Sequence, residues 1–246
     1  MTESAAGMVS TRVEQMKGYA GMPRLVVAVD GPAGSGKSTA ARRVAVTLGL
    51  CYLDTGAMYR ALTWWLQRQQ VELTDTAAVV ARIAEPRIEV GTDPDRPRIT
   101  VDGRDVAGPI RTRQVSNSVS AVAAIPQVRA LLIDRQRAII ASAGAGIVAE
   151  GRDIGTVVAP DASVKVYLTA NEEVRARRRS ADLAHEDPAA TVAAVQHDQA
   201  QRDRRDAAQM AVAADAVQID TSGLTLSQVV DQVVDLVKAR QAVPHG

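Results

Sequence analysis

Short apolar runs alternate with helical segments along most of the chain. Five of these runs predict strands of one sheet, at residues 25–30, 51–53, 146–150, 163–168 and 216–220. The other segments carry apolar residues at helical spacing, as in residues 226–240, where five valines fall on one face. Strands that are apolar throughout are typical of a parallel sheet covered by helices on both faces. The pattern therefore predicts an α/β protein with a doubly wound, five-stranded parallel sheet.

The pattern changes in the middle of the chain. The segments 87–90, 98–101 and 105–106 are short and alternating, with Asp-Pro-Asp and Asp-Gly turns near them. This arrangement predicts a small antiparallel meander, which two helices follow. Residues 85–142 are therefore predicted to form a lobe inserted into an α/β domain that spans residues 23–246.

A polar stretch at residues 180–188 interrupts a helical region that begins after Asn171 and resumes at Pro188. Such a stretch predicts a mobile loop between two helices. We interpret residues 175–205 as a lid, which would close over a bound substrate and exclude water.

Composition narrows the possible classes of function. The chain has 246 residues, of which 46% are hydrophobic, enough for one sizeable core. A net charge of +1 argues against a general polyanion binder, and an aromatic content of 2% argues against recognition by base stacking. Nucleic acid is therefore not an expected partner.

Cysteine content and leader composition bear on the location of the protein. The single cysteine, Cys51, cannot form an internal disulfide, which fits a reducing cytoplasm. No apolar run reaches the length of a membrane span, and residues 1–22 lack the apolar core of a signal peptide. We expect a cytoplasmic protein without a membrane partner, with residues 1–22 as a disordered N-terminal extension.

The stretch after the first strand matches the phosphate-binding pattern G-x-x-x-x-G-K-[ST]. Its glycines let the backbone wrap around a phosphate with N–H groups pointing inward, and the next helix adds the positive end of its dipole. Lys37 is predicted to reach the β- and γ-phosphates, and Ser38 to ligate Mg²⁺. The predicted ATP-binding residues are Gly31, Pro32, Ala33, Gly34, Ser35, Gly36, Lys37, Ser38 and Thr39.

Arginines at two other places indicate anion binding. Arg60 lies one turn inside a helix that Asp54 or Thr55 can cap, close enough to address an anion near the helix start. A later helix carries four arginines between residues 175 and 179, which repel one another unless phosphate or carboxylate lies among them. An ordinary capped helix and a solvated surface are the alternatives at these two places.

Four segments together resemble a bacterial-type cytidylate kinase. They are residues 30–38, DGPAGSGKS; residues 53–60, LDTGAMYR; Ile110-Arg111-Thr112 with Val119-Ser120 and Val128-Arg129; and residues 151–158, GRDIGTVV. Many kinases share the first segment, whereas the second and fourth are more specific. The resemblance runs from Leu25 to about Arg240. It implies a P-loop kinase with an inserted nucleotide-binding lobe. Such a kinase transfers a phosphoryl group from ATP to CMP or dCMP and uses Mg²⁺ as its cofactor.

The resemblance also implies roles for single residues at the acceptor site. Asp153 and Arg129 match the family's pair that recognises cytosine, with Ser120 as a neighbour. This agrees with the chemistry of the base, because a carboxylate suits its amino group and a cation suits its acceptors. Arg60 and Arg152 match the arginines that hold the phosphate of the acceptor nucleotide.

The remaining assignments concern the ribose and the transferred group. They are Arg202 and Asp206 on the ribose side, Thr55 and Tyr59 of the second segment in the acceptor site, and Lys37, Arg178 and Arg179 as catalytic residues. Catalysis then depends on placement and charge neutralisation, without a general base.

The chain departs from the family pattern after the lid. Where the family has Arg-Asp-x-x-Asp-x-x-Arg, residues 202–209 read RDRRDAAQ, so Gln209 replaces the last arginine. Either Arg205 substitutes for it in a shifted register or the contact is missing. We favour the substitution.

Two other functions remain open at this point. A kinase for another small acceptor, such as UMP or shikimate, is the nearest alternative. A regulatory P-loop NTPase or GTP-binding switch is the alternative from a different class, but its Asn-Lys-x-Asp signature does not occur in the sequence. We expect a monomer whose partners are small-molecule substrates.

Overall fold

The computed structural model describes residues 24–183 and 191–242, so the predicted extension at 1–22 and residues 184–190 of the predicted lid lie outside the described residues. The described strands are β1 (Leu25–Asp30), β2 (Cys51–Asp54), β3 (Ile88–Val90), β4 (Ile99–Val101), β5 (Arg104–Asp105), β6 (Gly146–Gly151), β7 (Val164–Thr169) and β8 (Val217–Asp220). The described α-helices are α1 (Lys37–Leu48), α2 (Thr55–Arg68), α3 (Thr76–Val80), α4 (Arg113–Ala123), α5 (Pro126–Ser142), α6 (Glu172–Leu183), α7 (Val192–Asp206) and α8 (Leu226–Gln241). None of these helices is long and apolar enough to cross a membrane.

Five strands form one sheet in the order β2-β6-β1-β7-β8, and each neighbouring pair is parallel. The predicted five-stranded parallel sheet is confirmed, and the strand boundaries agree to within about one residue. The central strand is β1. The loop after it therefore opens at the carboxyl edge of the sheet, where ligands bind in folds of this type.

Alternate residues of the central strand face opposite sides of the sheet. Val27 and Val29 pack with α1 and α8, whereas Ala28 packs with α2 and α5. A hydrophobic core therefore lies on each face, which is the doubly wound arrangement that the sequence predicts.

The strands β3, β4 and β5 form a separate antiparallel sheet, as the meander pattern predicts. Residues 85–142 add no strand to the five-stranded sheet. Two hydrogen bonds connect the small sheet to the main domain: Trp65 Nε1 donates to Asp102 Oδ2 at 3.1 Å, and Tyr52 N donates to the Thr92 carbonyl at 2.8 Å. Because this region also shares a hydrophobic core with α2, its exact boundary stays a prediction.

The lid region differs from its prediction at two helix ends. The helix α6 continues through Leu183, so residues 180–183 are helical where the polar pattern predicts a loop. The helix α7 begins at Val192 instead of Pro188, and the hydroxyl of Thr191 accepts a hydrogen bond from Ala194 N. This cap satisfies an N–H group at the helix start that would otherwise lack a partner.

Candidate active site

The phosphate loop joins β1 to α1 in a conformation that requires glycine. Gly34 and Gly36 have φ angles of 77° and 86°, which other residues rarely adopt. A Cβ atom at Gly34 would also lie 2.8 Å from the carbonyl oxygen of Arg175. The helix α1 starts after Gly36 without a side-chain cap, so its first N–H groups point out with no side chain to satisfy them. Such a helix start is suited to bind phosphate oxygens.

Lys37 lies in the first turn of α1. Its side chain is half-buried, and Nζ donates to the Pro32 carbonyl at 3.3 Å. Burial lowers the pKa of Lys37, and the nearby Glu150 opposes this shift. An ammonium group in this position would gain from an incoming anion.

Glu150 is a buried carboxylate that the sequence interpretation missed. It lies at the end of β6, is 2% exposed, and accepts a hydrogen bond from Tyr52 Oη at 3.0 Å. The Ser38 side chain also hydrogen-bonds to it, while burial and then Asp54 raise its pKa. Part of the signal was present in the sequence, since an apolar run ends in this carboxylate, but its proximity to the phosphate loop depends on the strand order.

The loop opens into a cleft of about 1280 Å³. Ala33, Gly34 and residues 36–39 line this cleft, whereas Gly31, Pro32 and Ser35 do not. Leu226 and Val230 of α8 contribute apolar surface to it. The cleft therefore combines uncapped N–H groups with an apolar area, as a nucleotide requires.

A second, smaller cavity adjoins the cleft. The predicted acceptor-site residues all line it: Thr55, Tyr59, Arg60, Ser120, Arg129, Arg152, Asp153, Arg202 and Asp206. They come from α2, α4, α5, α7 and the end of β6. Folding thus brings together side chains that lie far apart in the sequence.

Three arginines meet where the small cavity joins the cleft. Arg60, Arg152 and Arg202 line both spaces. Burial, followed by the charges of Arg202 and Arg179, holds the pKa of Arg60 well below its usual value. Burial and the charge of Arg152 lower the pKa of Arg202 to about 10. Because these cations oppose one another, an anion bound among them would be stabilised.

Carboxylates and carbonyls partly satisfy these arginines. Arg152 pairs with Asp206 at 2.8 Å and donates to the carbonyl of Gly31 at 3.2 Å. Arg60 Nη1 donates to the Ile110 carbonyl at 3.1 Å and to Ser116 Oγ at 2.9 Å. Arg60 and Arg152 are therefore oriented before a substrate arrives.

A different group of side chains lies deeper in the small cavity. Asp153 forms an ion pair with Arg129, and the segment after Asp153 is fixed because Asp30 accepts from the N–H groups of Ile154 and Gly155, both at 2.8 Å. Ser120 Oγ is buried and has no hydrogen-bond partner among residues 24–183 and 191–242. A hydroxyl in that state is available to a ligand.

The helix α6 places three arginines near the cleft, each with different contacts. Arg178 donates to the hydroxyl and the carbonyl of Thr221, each at 2.8 Å, and lies beside Gly36. Arg179 lines the cleft and Arg178 does not. Arg175 is buried, donates to the Ala33 carbonyl at 3.2 Å and pairs with Asp203 at 2.5 Å. Arg175 therefore supports the phosphate loop from outside the cleft.

Arg205 does not take the place of the missing arginine. It is exposed and donates to the Asn117 carbonyl at 3.3 Å, and it lines neither cavity. The structure therefore gives no support to the substitution by Arg205 that we favoured from the sequence.

Comparison with known proteins identifies the family. The family model for cytidylate kinase matches residues 27–239. The chain is 50% identical to a cytidylate kinase of Streptomyces avermitilis over 221 residues, which cover 90% of this chain and 96% of that one. It is also 50% identical to a cytidylate kinase of Nocardia farcinica over 213 residues, or 85% and 91% of the two chains. A solved shikimate kinase from Acinetobacter baumannii, in complex with shikimate, aligns over 93% of this chain and 99% of that one with a TM-score of 0.48 and 12% identity, values too low to inform on function. The extent and identity of the sequence matches confirm the resemblance, and the chain belongs to the cytidylate kinase family.

Proposed function

We propose that this kinase holds ATP in the cleft and CMP or dCMP in the small cavity. Its membership of the cytidylate kinase family supports phosphoryl transfer from ATP to CMP. The assignment of ATP to the cleft and of CMP to the small cavity rests on one observation. Arg60, Arg152 and Arg202 line both the cleft and the small cavity. The donor and acceptor phosphates would meet at Arg60 and Arg152, where in-line transfer needs positive charge, and Arg202 would reach the ribose beside them.

The donor site follows from the loop. The N–H groups at the start of α1 would hold the β- and γ-phosphates of ATP, with Lys37 beside them. Leu226 and Val230 offer apolar contact to the rest of the nucleotide. Arg178, fixed by Thr221 next to Gly36, would stabilise the donor phosphates from the lid side.

Mg²⁺ is the proposed cofactor, and the oxygen donors near the loop fit it. Ser38 and Glu150 lie in hydrogen-bonding contact at the start of α1, and hydroxyl and carboxylate oxygens suit this ion. Residues 24–183 and 191–242 contain no group of three or more His, Cys, Asp or Glu side chains that could hold a metal. This agrees with an ion that takes one or two protein oxygens and completes its shell with phosphates and water. When bound, Mg²⁺ would neutralise negative charge on the donor phosphates.

The acceptor base is proposed to lie against Arg129, Asp153 and Ser120. The Asp153 carboxylate would accept from the exocyclic amino group of cytosine, and Arg129 would donate to the ring acceptors. Arg202 and Asp206 would contact the ribose, with Thr55 and Tyr59 on the opposite helix α2. A uracil ring, with a carbonyl where cytosine has an amino group, would meet the Asp153 charge unfavourably.

Transfer then requires little covalent chemistry from the protein. A phosphate oxygen of CMP attacks the γ-phosphorus of ATP, the bond to the ADP oxygen breaks, and CDP forms without an enzyme-bound intermediate. Arg60 and Arg152 would hold the attacking phosphate, while Lys37 and Arg179 would stabilise the charge on the transferred group. Closure of the lid helices would exclude water, which otherwise competes as acceptor.

One assay tests this function directly. ADP release is measured with ATP, Mg²⁺ and each of CMP, dCMP, UMP, AMP, GMP and shikimate, together with a reaction that has no acceptor. We expect CMP and dCMP to be the preferred acceptors and release without an acceptor to stay at background. Preference for shikimate or UMP would replace the proposed acceptor, and acceptor-independent release would indicate an NTPase.

The proposal also extends to partners and location. We propose a monomeric enzyme, because the side chains of one chain suffice for the roles assigned to the donor phosphates, the acceptor phosphate and the base. A net charge of +1 and an aromatic content of 2% favour free nucleotides over nucleic acid as partners. We propose a cytoplasmic location, because the lone Cys51 suits a reducing compartment.

Glu150→Gln tests the proposed metal site. The variant keeps the shape of the side chain and an oxygen for the Tyr52 hydroxyl, but it removes a negative charge near Ser38. We expect the Mg²⁺ concentration for half-maximal rate to rise about tenfold. Thermal stability should not fall, because burial already disfavours the charged form of Glu150.

The matched control is Glu85→Gln, at an exposed carboxylate that pairs with Arg82 on the surface. Its Mg²⁺ dependence should equal that of the wild type. An unchanged Mg²⁺ requirement in Glu150→Gln would remove Glu150 from the metal site and leave Ser38 as the proposed ligand.

A further inference from the structure

The helix α4 of the predicted inserted lobe contacts the lid helices along one of its faces. Arg113 of α4 pairs with Asp198 of α7 at 3.0 Å. One turn further, Ser116 Oγ accepts a hydrogen bond from Arg179 of α6 at 3.3 Å, and the Asn117 carbonyl accepts from Arg205. These contacts place Ser116 at the junction of the lobe and the lid.

Ser116 is the point at which two arginines from different elements meet. Its hydroxyl oxygen accepts from Arg60 Nη1 at 2.9 Å and from Arg179 Nη2 at 3.3 Å. The residue is 6% exposed. A serine hydroxyl has two lone pairs, so one oxygen can serve both guanidinium groups. Arg60 belongs to α2 and Arg179 to α6, so this one oxygen atom connects the two helices.

We propose that Ser116 is a positioning residue that sets the spacing of Arg60 and Arg179. The inference rests on the proposed function, in which Arg60 holds the acceptor phosphate and Arg179 the transferred group. These two groups must lie next to each other for in-line transfer. A shared hydrogen-bond acceptor fixes the two guanidinium groups side by side before the nucleotides bind.

The neutrality of Ser116 is essential to this role. The charge of Arg179 is among the causes that lower the pKa of Arg60, so the two cations repel each other. A carboxylate between them would relieve this repulsion, but it would also cancel the positive charge that the phosphates need. A hydroxyl orients both arginines and leaves their charge available to the substrates.

The same helix offers a matched control. Ser118 lies two residues further along α4; its hydroxyl donates to the Gln114 carbonyl at 3.1 Å and accepts from Gln67 at 3.0 Å. It lines neither cavity. Alanine is the strongest helix former, so neither Ser116→Ala nor Ser118→Ala should disturb α4 itself.

The first experiment measures steady-state kinetics of the wild type, Ser116→Ala and Ser118→Ala with ATP, Mg²⁺ and CMP. We expect Ser116→Ala to lower kcat about tenfold and to raise KM for CMP, because the two arginines lose their common partner. Ser118→Ala should match the wild type. The melting temperatures of the two variants should agree. Equal kinetics in the two variants would overturn the inference.

A double-mutant cycle separates positioning from a purely structural role. If Ser116 acts through Arg179, Ser116→Ala should have much less effect on kcat in an Arg179→Ala enzyme than in the wild type. An equal fold-loss in both backgrounds would mean that Ser116 does not act through Arg179, and it would overturn the proposal. A wild type without CMP-dependent transfer would instead refute the proposed function. An active wild type with a normal Ser116→Ala variant would refute only the role of Ser116.

Discussion

Lys37→Ala should lower kcat by about a hundred- to a thousandfold while the protein stays folded. Lys37 contributes little to the fold, because its Nζ donates one long hydrogen bond, to the Pro32 carbonyl at 3.3 Å. Burial also lowers its pKa, so the empty protein gains little from its charge. The charge becomes favourable only when the donor phosphates are bound, and most of all as negative charge spreads over the transferred group.

Lys238→Ala is a suitable control for this loss. Its side chain is 67% exposed near the end of α8 and lies 3.9 Å from Asp235, so its removal should change neither rate nor stability. The measurements are kcat from ADP release and the melting temperature of both variants. The loss in Lys37→Ala should be in kcat more than in KM for CMP, because the lysine acts on the donor side. Near-normal turnover in Lys37→Ala would refute the assignment of the phosphate loop.

The sheet could be predicted from the sequence because its strands are buried on both faces. Such strands consist of apolar residues without alternation, and residues 25–30 fall in β1 as predicted. The phosphate loop could be predicted as well, because the backbone at Gly34 and Gly36 has positive φ angles that favour glycine. The sequence also predicts a helix directly after this loop, and α1 begins at Lys37.

The direction of long side chains could not be predicted from spacing along a helix. Arg175 is one of the four neighbouring arginines that indicated anion binding, yet it turns to Asp203 and the Ala33 carbonyl. Arg205 pairs with the Asn117 carbonyl, a contact that exists only because α4 packs against α7. Contacts between distant segments decide such cases, and a single sequence does not contain them.

Glu150 is a different kind of omission. Its position at the end of an apolar strand is visible in the sequence, but the family resemblance assigns roles to the adjacent Arg152 and Asp153 and none to Glu150. The parallel register of β6 with β1, in which Glu150 lies opposite Val29, brings it beside Ser38 of the neighbouring loop. Only the order of the strands reveals that proximity.

Asp153→Ala should lower kcat/KM for CMP by about 10- to 100-fold and should change kcat/KM for UMP much less. Asp153 is 7% exposed, lines the acceptor cavity and forms an ion pair with Arg129. If its carboxylate accepts from the cytosine amino group, its loss removes a charge-assisted hydrogen bond worth about 1.5–3 kcal/mol. UMP makes no such bond, because uracil has a carbonyl at that position. In Asp153→Ala, UMP is also no longer repelled by the carboxylate charge.

The ratio of the CMP and UMP activities decides between recognition and simple support of Arg129. The ion pair alone is compatible with both, since Asp153 could merely orient Arg129. In that case the two activities would fall together in Asp153→Ala, and their ratio would not change.

Asp153→Asn sharpens the test, because its amide group can donate to the uracil carbonyl and should move the ratio further toward UMP. Asp134→Ala, at an exposed carboxylate on the same helix as Arg129, is the control and should leave both activities unaltered. A constant ratio across Asp153→Ala and Asp153→Asn would mean that another side chain selects the base, and the unpartnered hydroxyl of Ser120 would then be the next candidate.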